Sequence, residues 1–232
     1  MMYGYENVIT ITLTFIGLAI TLFAQTWIDS TYSKYKKIGN KHSMTGKDVA
    51  RKILDKNGLK HIQVVETSGN LTDHYDPSSE VIRLSTNIYE ETTIAAMAVA
   101  AHECGHAIQD KDGYKFMKIR SALVPIVNFV NYAGYFVIAI SLLAGVTGYL
   151  ILGIITVLAT LVFQLVTLPV EFDASRRALE ELEINQLVSE EEKEGVTNML
   201  KAAGFTYVAG VLSSLLNLIR LILMLLDRKR DD

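Results

Sequence analysis

The sequence has one cysteine, Cys104, and three prolines in 232 residues. A lone thiol excludes an internal disulfide framework and a cysteine-rich zinc cage. Scarce proline, with half of the residues hydrophobic, excludes a disordered chain. The formal net charge is −3, so no broad basic field exists for nucleic acid, and no nucleic-acid partner is expected. No internal repeat, Walker loop, GxGxxG or GxSxG is present. The most informative absence is charge itself. Residues 121–170 contain no Asp, Glu, Lys or Arg, and neither do residues 8–28 or 202–219. A soluble domain does not keep such stretches, so the chain is read as an integral membrane protein with the lipid bilayer as a partner.

At ~1.5 Å per residue, residues 8–28 suffice to cross a ~30 Å hydrocarbon layer. A cleaved signal peptide would need a positive leading segment, and only Glu6 precedes the run. A retained transmembrane helix over 1–28 is expected. Residues 121–170 are too long for one crossing and suit a transmembrane hairpin, with its turn at the glycine-flanked residues 144–148. Pro125 falls in the first turn, where its missing N–H costs little. Asn128, Asn131 and Tyr135 share a helix face suited to interhelical hydrogen bonds. The last segment, 204–232, contains Arg220, which must snorkel or face protein. It reads as a transmembrane or interfacial helix.

Two polar regions remain, 29–120 and 171–203. In the first, Thr45 caps a helix with apolar face Val49, Ala50, Ile53 and Leu54, ending at Gly58. Residues 62–65 and 81–85 read as strands, with a turn at Asp76-Pro77-Ser78-Ser79. Thr92 or Thr93 opens an alanine-rich helix that runs into His102. In the second region, Ser189 to Glu192 form a capping box for a further helix.

His102-Glu103-Cys104-Gly105-His106 is an H-E-x-x-H sequence. On a helix, positions i and i+4 lie on one face, so two imidazoles reach one Zn²⁺, and one zinc per chain is expected. Glu103 is rotated about 100° from His102, where it suits a general base toward an activated water. Cys104 lies nearly opposite and is assigned to packing. Gly105 costs ~1 kcal/mol of helix propensity, a hint that something packs close.

A catalytic zinc takes a third protein ligand and keeps a position open. A hairpin over 121–170 returns the chain to the side of the membrane it left. The sequence that follows it, Glu171-Phe172-Asp173-Ala174-Ser175-Arg176-Arg177, offers Glu171 as third ligand and Asp173 as rival.

These motifs together resemble the gluzincin metallopeptidases, and more closely the membrane neutral zinc metallopeptidases of bacteria, the YugP-like family. The matching stretches are 71–77 (LTDHYDP), 99–107 (VAAHECGHA), 168–178 (LPVEFDASRRA) and 206–209 (TYVA). The resemblance implies zinc on His102, His106 and Glu171, with Glu103 as general base. It departs from membrane gluzincins of the HtpX and CAAX-protease type, which carry Asp four residues after the ligand Glu. Here that position is Ser175, leaving Asp173 or Ser175 to brace a zinc histidine. The fold class expected is mainly α: a membrane-embedded helical protein with a small α+β zincin-like polar domain that carries the H-E-x-x-H helix.

Weaker candidates surround this set. His74, ahead of the helix, suits polarising a scissile carbonyl. Tyr207 suits an oxyanion and Arg176 a developing charge, although an interfacial tyrosine and a solvated arginine are the plainer readings. Lys34, Lys36, Lys37 and Lys41 follow the first crossing and no basic residue precedes it, which places 29–120 in the cytoplasm. The tail Asp227-Arg228-Lys229-Arg230 opposes that rule if the last segment spans. The expected activity is peptide hydrolysis at the membrane surface, on peptides or membrane proteins. A catalytically silent zinc-locked scaffold and a non-peptidase zinc amidohydrolase are the alternatives.

Overall fold

A computed structural model describes residues 2–69, 72–143 and 149–231. The turn expected at 144–148 and Leu71 of the first matching stretch lie outside the described residues. The chain divides into two compact units. One comprises Met1–Gln25, Ile119–Leu168 and Thr206–Asp232, and the other Thr26–Lys118 and Pro169–Phe205.

The protein is mainly α-helical with one small sheet. In chain order the elements are α1 (Met2–Tyr35), α2 (Gly46–Lys56), β1 (Gln63–Thr67), β2 (His74–Asp76), β3 (Val81–Ser85), α3 (Thr86–Glu90), α4 (Ile94–Lys111), α5 (Lys115–Leu143), α6 (Tyr149–Ile184) and α7 (Glu190–Asp231). The long helices run through the points where hydropathy changes. Thus α6 continues past Val170 to Ile184, and α7 runs as a single helix through to Asp231. Only half of the capping box expected at its start forms: the N–H of Ser189 donates to Glu192 Oε2 at 2.8 Å, but Ser189 Oγ caps no helix N–H. Pro169 removes one N–H from the α6 ladder. The carbonyls of Pro169 and Val170 are met from outside the helix, by Tyr114 Oη at 3.4 Å and Gln109 Nε2 at 2.7 Å.

Among the described residues, three stretches of the long helices are long and apolar enough to cross a membrane: Val8–Tyr35, Leu150–Ile184 and Glu190–Asp227. Within the first unit, small and polar residues mediate helix packing, as expected where lipid offers no hydrophobic gradient between helices. Thr160 Oγ1 donates to Asn131 Oδ1 at 3.1 Å, and the hydroxyls of Thr21 and Ser213 lie 3.0 Å apart.

In the second unit, Thr45 caps α2 in a reciprocal box with Asp48, and Gly58 takes the left-handed conformation, φ +75°, just past the end. The apolar face of α2 is fully buried against α4. Ala178 and Leu182 of α6, Leu187, and Val196 of α7 complete this core. The sheet order is β1-β3-β2, with β1 parallel and β2 antiparallel to β3. The first strand begins at Gln63 rather than Ile62, because Ile62 packs in the core and its carbonyl accepts from Arg51 Nη1 at 2.7 Å. Asp73 ties the entry to β2 onto β3 by accepting from the N–H of Ser85 at 2.7 Å. As an edge strand, β2 leaves one side unpaired by the sheet.

Candidate metal centre

Thr93 opens α4 by accepting from the N–H of Ala96. One stripe of α4 then presents His102, Gly105, His106 and Gln109, spaced i, i+3, i+4 and i+7. The facing stripe of α6 has the same spacing: Glu171, Ala174, Ser175 and Ala178. Gly105 makes the approach possible, since a Cβ there would stand 2.4 Å from the carbonyl oxygen of Ala174. This explains a glycine in the middle of a strong helix.

The two stripes converge on Glu171. Its Oε2 lies 3.2 Å from Nε2 of His102 and 3.6 Å from Nε2 of His106. The two imidazoles stand edge to face with centroids 4.7 Å apart. Candidate ligand atoms of the three residues all lie within 4.8 Å of one another. Glu171 and His106 are buried, and His102 nearly so.

The outer nitrogens of the imidazoles are held in turn. Gln109 is fully buried, and its Nε2 donates to the carbonyl of Val170 at 2.7 Å and to Asp173 Oδ2 at 3.0 Å. Two acceptors fix which end of the amide is nitrogen, assigned from the hydrogen-bond network. Gln109 Oε1 therefore faces Nδ1 of His106, at 3.0 Å, and that nitrogen must carry the proton. Nε2 of His106 is the ring nitrogen turned toward Glu171. Ser175 Oγ lies 3.2 Å from Nδ1 of His102 and holds that ring in place, as donor or acceptor. Two imidazole nitrogens and a carboxylate oxygen thus converge on one buried spot. Two histidines and a glutamate form a known catalytic zinc set, so the residues fit the metal that the sequence motif implies.

Glu103 flanks this cluster and is buried. Its Oε2 accepts from the N–H of Tyr75, on the outer side of β2, at 2.9 Å. Burial pushes its carboxyl up to about 7, opposed by His102 and by the Tyr75 N–H, while Glu171 and Asp73 add to the rise.

Glu171, rather than Asp173, faces the histidines. Asp173 reaches His106 only through Gln109. It also accepts from Arg177 Nε at 2.6 Å and from Arg176, and Arg177 bridges on to Asp112 at 2.6 Å. Arg176 is exposed and bonded to Glu180 as well as Asp173. His74 is exposed, with Nδ1 2.8 Å from the carbonyl of Thr72. Tyr207 belongs to the other unit and is partly exposed. Cys104 is buried against α2, its thiol toward the carbonyl of Ala50. Sequence reasoning missed Gln109. The signal was its place on the His102–Gly105–His106 stripe, one turn further on.

Comparison with known proteins agrees with this chemistry. The chain is 39% identical over 222 residues to the "Putative membrane protease YugP" of Bacillus subtilis (strain 168), covering 96% of this chain and 99% of that relative. No solved structure matches the chain. A family described as "Putative neutral zinc metallopeptidase" matches residues 10–226. The match runs through both units and all the residues of the cluster, and the chain belongs to this zinc metallopeptidase family.

Proposed function

We propose that the protein is an integral-membrane zinc metallopeptidase that hydrolyses peptide bonds. The observation that carries this reading is the convergence of His102, His106 and Glu171, with the carboxyl of Glu103 beside them. His102, His106 and Glu171 would hold the zinc. When bound, the ion supplies a Lewis acid and lowers the pKa of a coordinated water toward ~7. Glu103 takes the proton of the attacking water and returns it to the leaving amine. The Tyr75 N–H holds one of its oxygens in place, leaving the other for the proton. Gln109 fixes the tautomer of His106, and Ser175 holds the ring of His102 in place. The unpaired side of β2 suits an extended peptide adding as a strand.

Placement in a bilayer follows from the three apolar helices, and the basic residues 34–41 favour a cytoplasmic catalytic unit. The substrates are peptides or membrane proteins that reach this unit. The decisive experiment is Glu103→Gln in the purified full chain. Zinc content should remain at one per chain while peptide cleavage falls by about 10²- to 10⁴-fold, the scale for losing a general base. Full residual cleavage would remove the base assignment, and a zinc-free wild type would remove the metal centre.

A further inference from the structure

Arg220 is the one charged residue between 202 and 226, in a helix otherwise apolar enough to span a membrane. Its guanidinium is only partly satisfied. Nη1 donates to Thr14 Oγ1 at 3.2 Å and Nη2 to Asn217 Oδ1 at 2.7 Å, while Nε is buried with no partner. Both acceptors are neutral. Among the described residues no carboxylate pairs with it. An arginine in a membrane span ordinarily pairs or faces water.

The side chain does not escape to the nearer end of its helix. It turns back toward Asn217, away from the Asp227 end, in the direction that helical side chains lean. A counter-charge would therefore have to reach it through the space beside it. Two cavities meet at this residue, of about 420 Å³ and 410 Å³, and both are bordered by Ser214, Asn217 and Arg220. The larger has apolar walls of Leu150, Val157, Leu221 and Met224. A polar, cationic floor with apolar walls suits an anion that carries hydrocarbon. The source is the bilayer itself: Arg228-Lys229-Arg230 follow at the end of the same helix, and such a basic cluster concentrates anionic headgroups there.

We infer that α1, α6 and α7 enclose a binding site for the phosphate of an anionic phospholipid. Arg220 is its cationic donor, Ser214 and Asn217 supply further donors, and the Leu150–Met224 wall holds an acyl chain. Arg220 and its fork of N–H groups match a phosphate geometrically. The inference is independent of peptidase activity.

The test titrates the full chain in neutral detergent with phosphatidylglycerol, phosphatidylcholine or inorganic phosphate, reading bound lipid by native mass spectrometry and unfolding temperature. Phosphatidylglycerol should bind about fivefold more tightly than phosphatidylcholine, the effect of one basic side chain beside an anionic lipid. Arg220→Gln should abolish the preference, and Arg220→Lys should reduce it without unfolding the helix. If the glutamine variant does not fold, the lysine variant alone carries the comparison. The triple variant R228Q/K229Q/R230Q should weaken phosphatidylglycerol binding yet keep the Arg220-dependent preference. No preference in the wild type, a preference unchanged in both Arg220 variants, or one lost only in the triple variant would overturn the site. Equal stabilisation by inorganic phosphate would overturn the lipid as its occupant.

Discussion

Gln109 Oε1 lies 3.0 Å from Nδ1 of His106, on an amide whose nitrogen is already committed to Val170 and Asp173. The side chain has no freedom to flip, so it dictates the imidazole tautomer. Gln109→Leu should weaken zinc binding by about 10- to 100-fold, the usual effect of removing a group that orients a ligand histidine. Competition against a chromogenic chelator measures this directly, and helix content by circular dichroism should not change.

Glu171 and Asp173 are separable by the same titration. Glu171→Gln removes a buried ligand oxygen and should abolish tight zinc binding. Asp173→Asn keeps one acceptor oxygen, enough for Gln109 and Arg177 but not also for Arg176, and should cost no more than about 10- to 100-fold, the range for a group behind the ligands. Equal losses in the two variants would contradict the geometry.

Gly105 leaves no room for a side chain. The obstacle is the backbone carbonyl of Ala174, whose oxygen lies 2.4 Å from where a Cβ would sit, and not a flexible side chain that can rotate away. Gly105→Ala should therefore push α6 from α4 and separate Glu171 from the histidines. Alanine's helix propensity offsets ~1 kcal/mol, but overpacking costs about 1–3 kcal/mol. The expected result is a folded protein destabilised by at most about 2 kcal/mol, with a large loss of zinc affinity read by metal analysis after dialysis.

Chelation should destabilise the second unit. Zinc that binds the folded state alone adds about 2.7 kcal/mol at a concentration 100-fold above Kd. Removing it with EDTA should lower the unfolding temperature, and restoring zinc should recover it. His102→Ala should abolish this dependence on metal.

Much of this is legible in the amino-acid sequence. The Thr45 cap, the start of α7 at Ser189 to Glu192, the alanine-rich helix and the uncharged runs announce themselves because each follows from local chemistry over a few residues. His102 and His106 are legible for the same reason, as neighbours on one helical turn. What local pattern does not carry is the partner helix. Nothing near Gln109 says that it meets Val170 and Asp173, and Gly105 signals a close approach without naming Ala174. The short strand β2 is also faint, since three residues hold little periodicity and its pairing with β3 supplies the rest. The long helices ignore hydropathy boundaries because backbone hydrogen bonding continues across a change from apolar to polar side chains, even through Pro169.

The N–H of Tyr75 gives β2 a role beyond its length. It is the group that steadies Glu103, so under the proposed mechanism the strand's outer side and the general base would form one mechanical unit. A peptide that settles along that edge displaces the donor by whatever amount the strand yields. Discrimination among peptides would then surface in turnover as well as in occupancy, with a poor fit at the edge slowing the chemical step even at saturation.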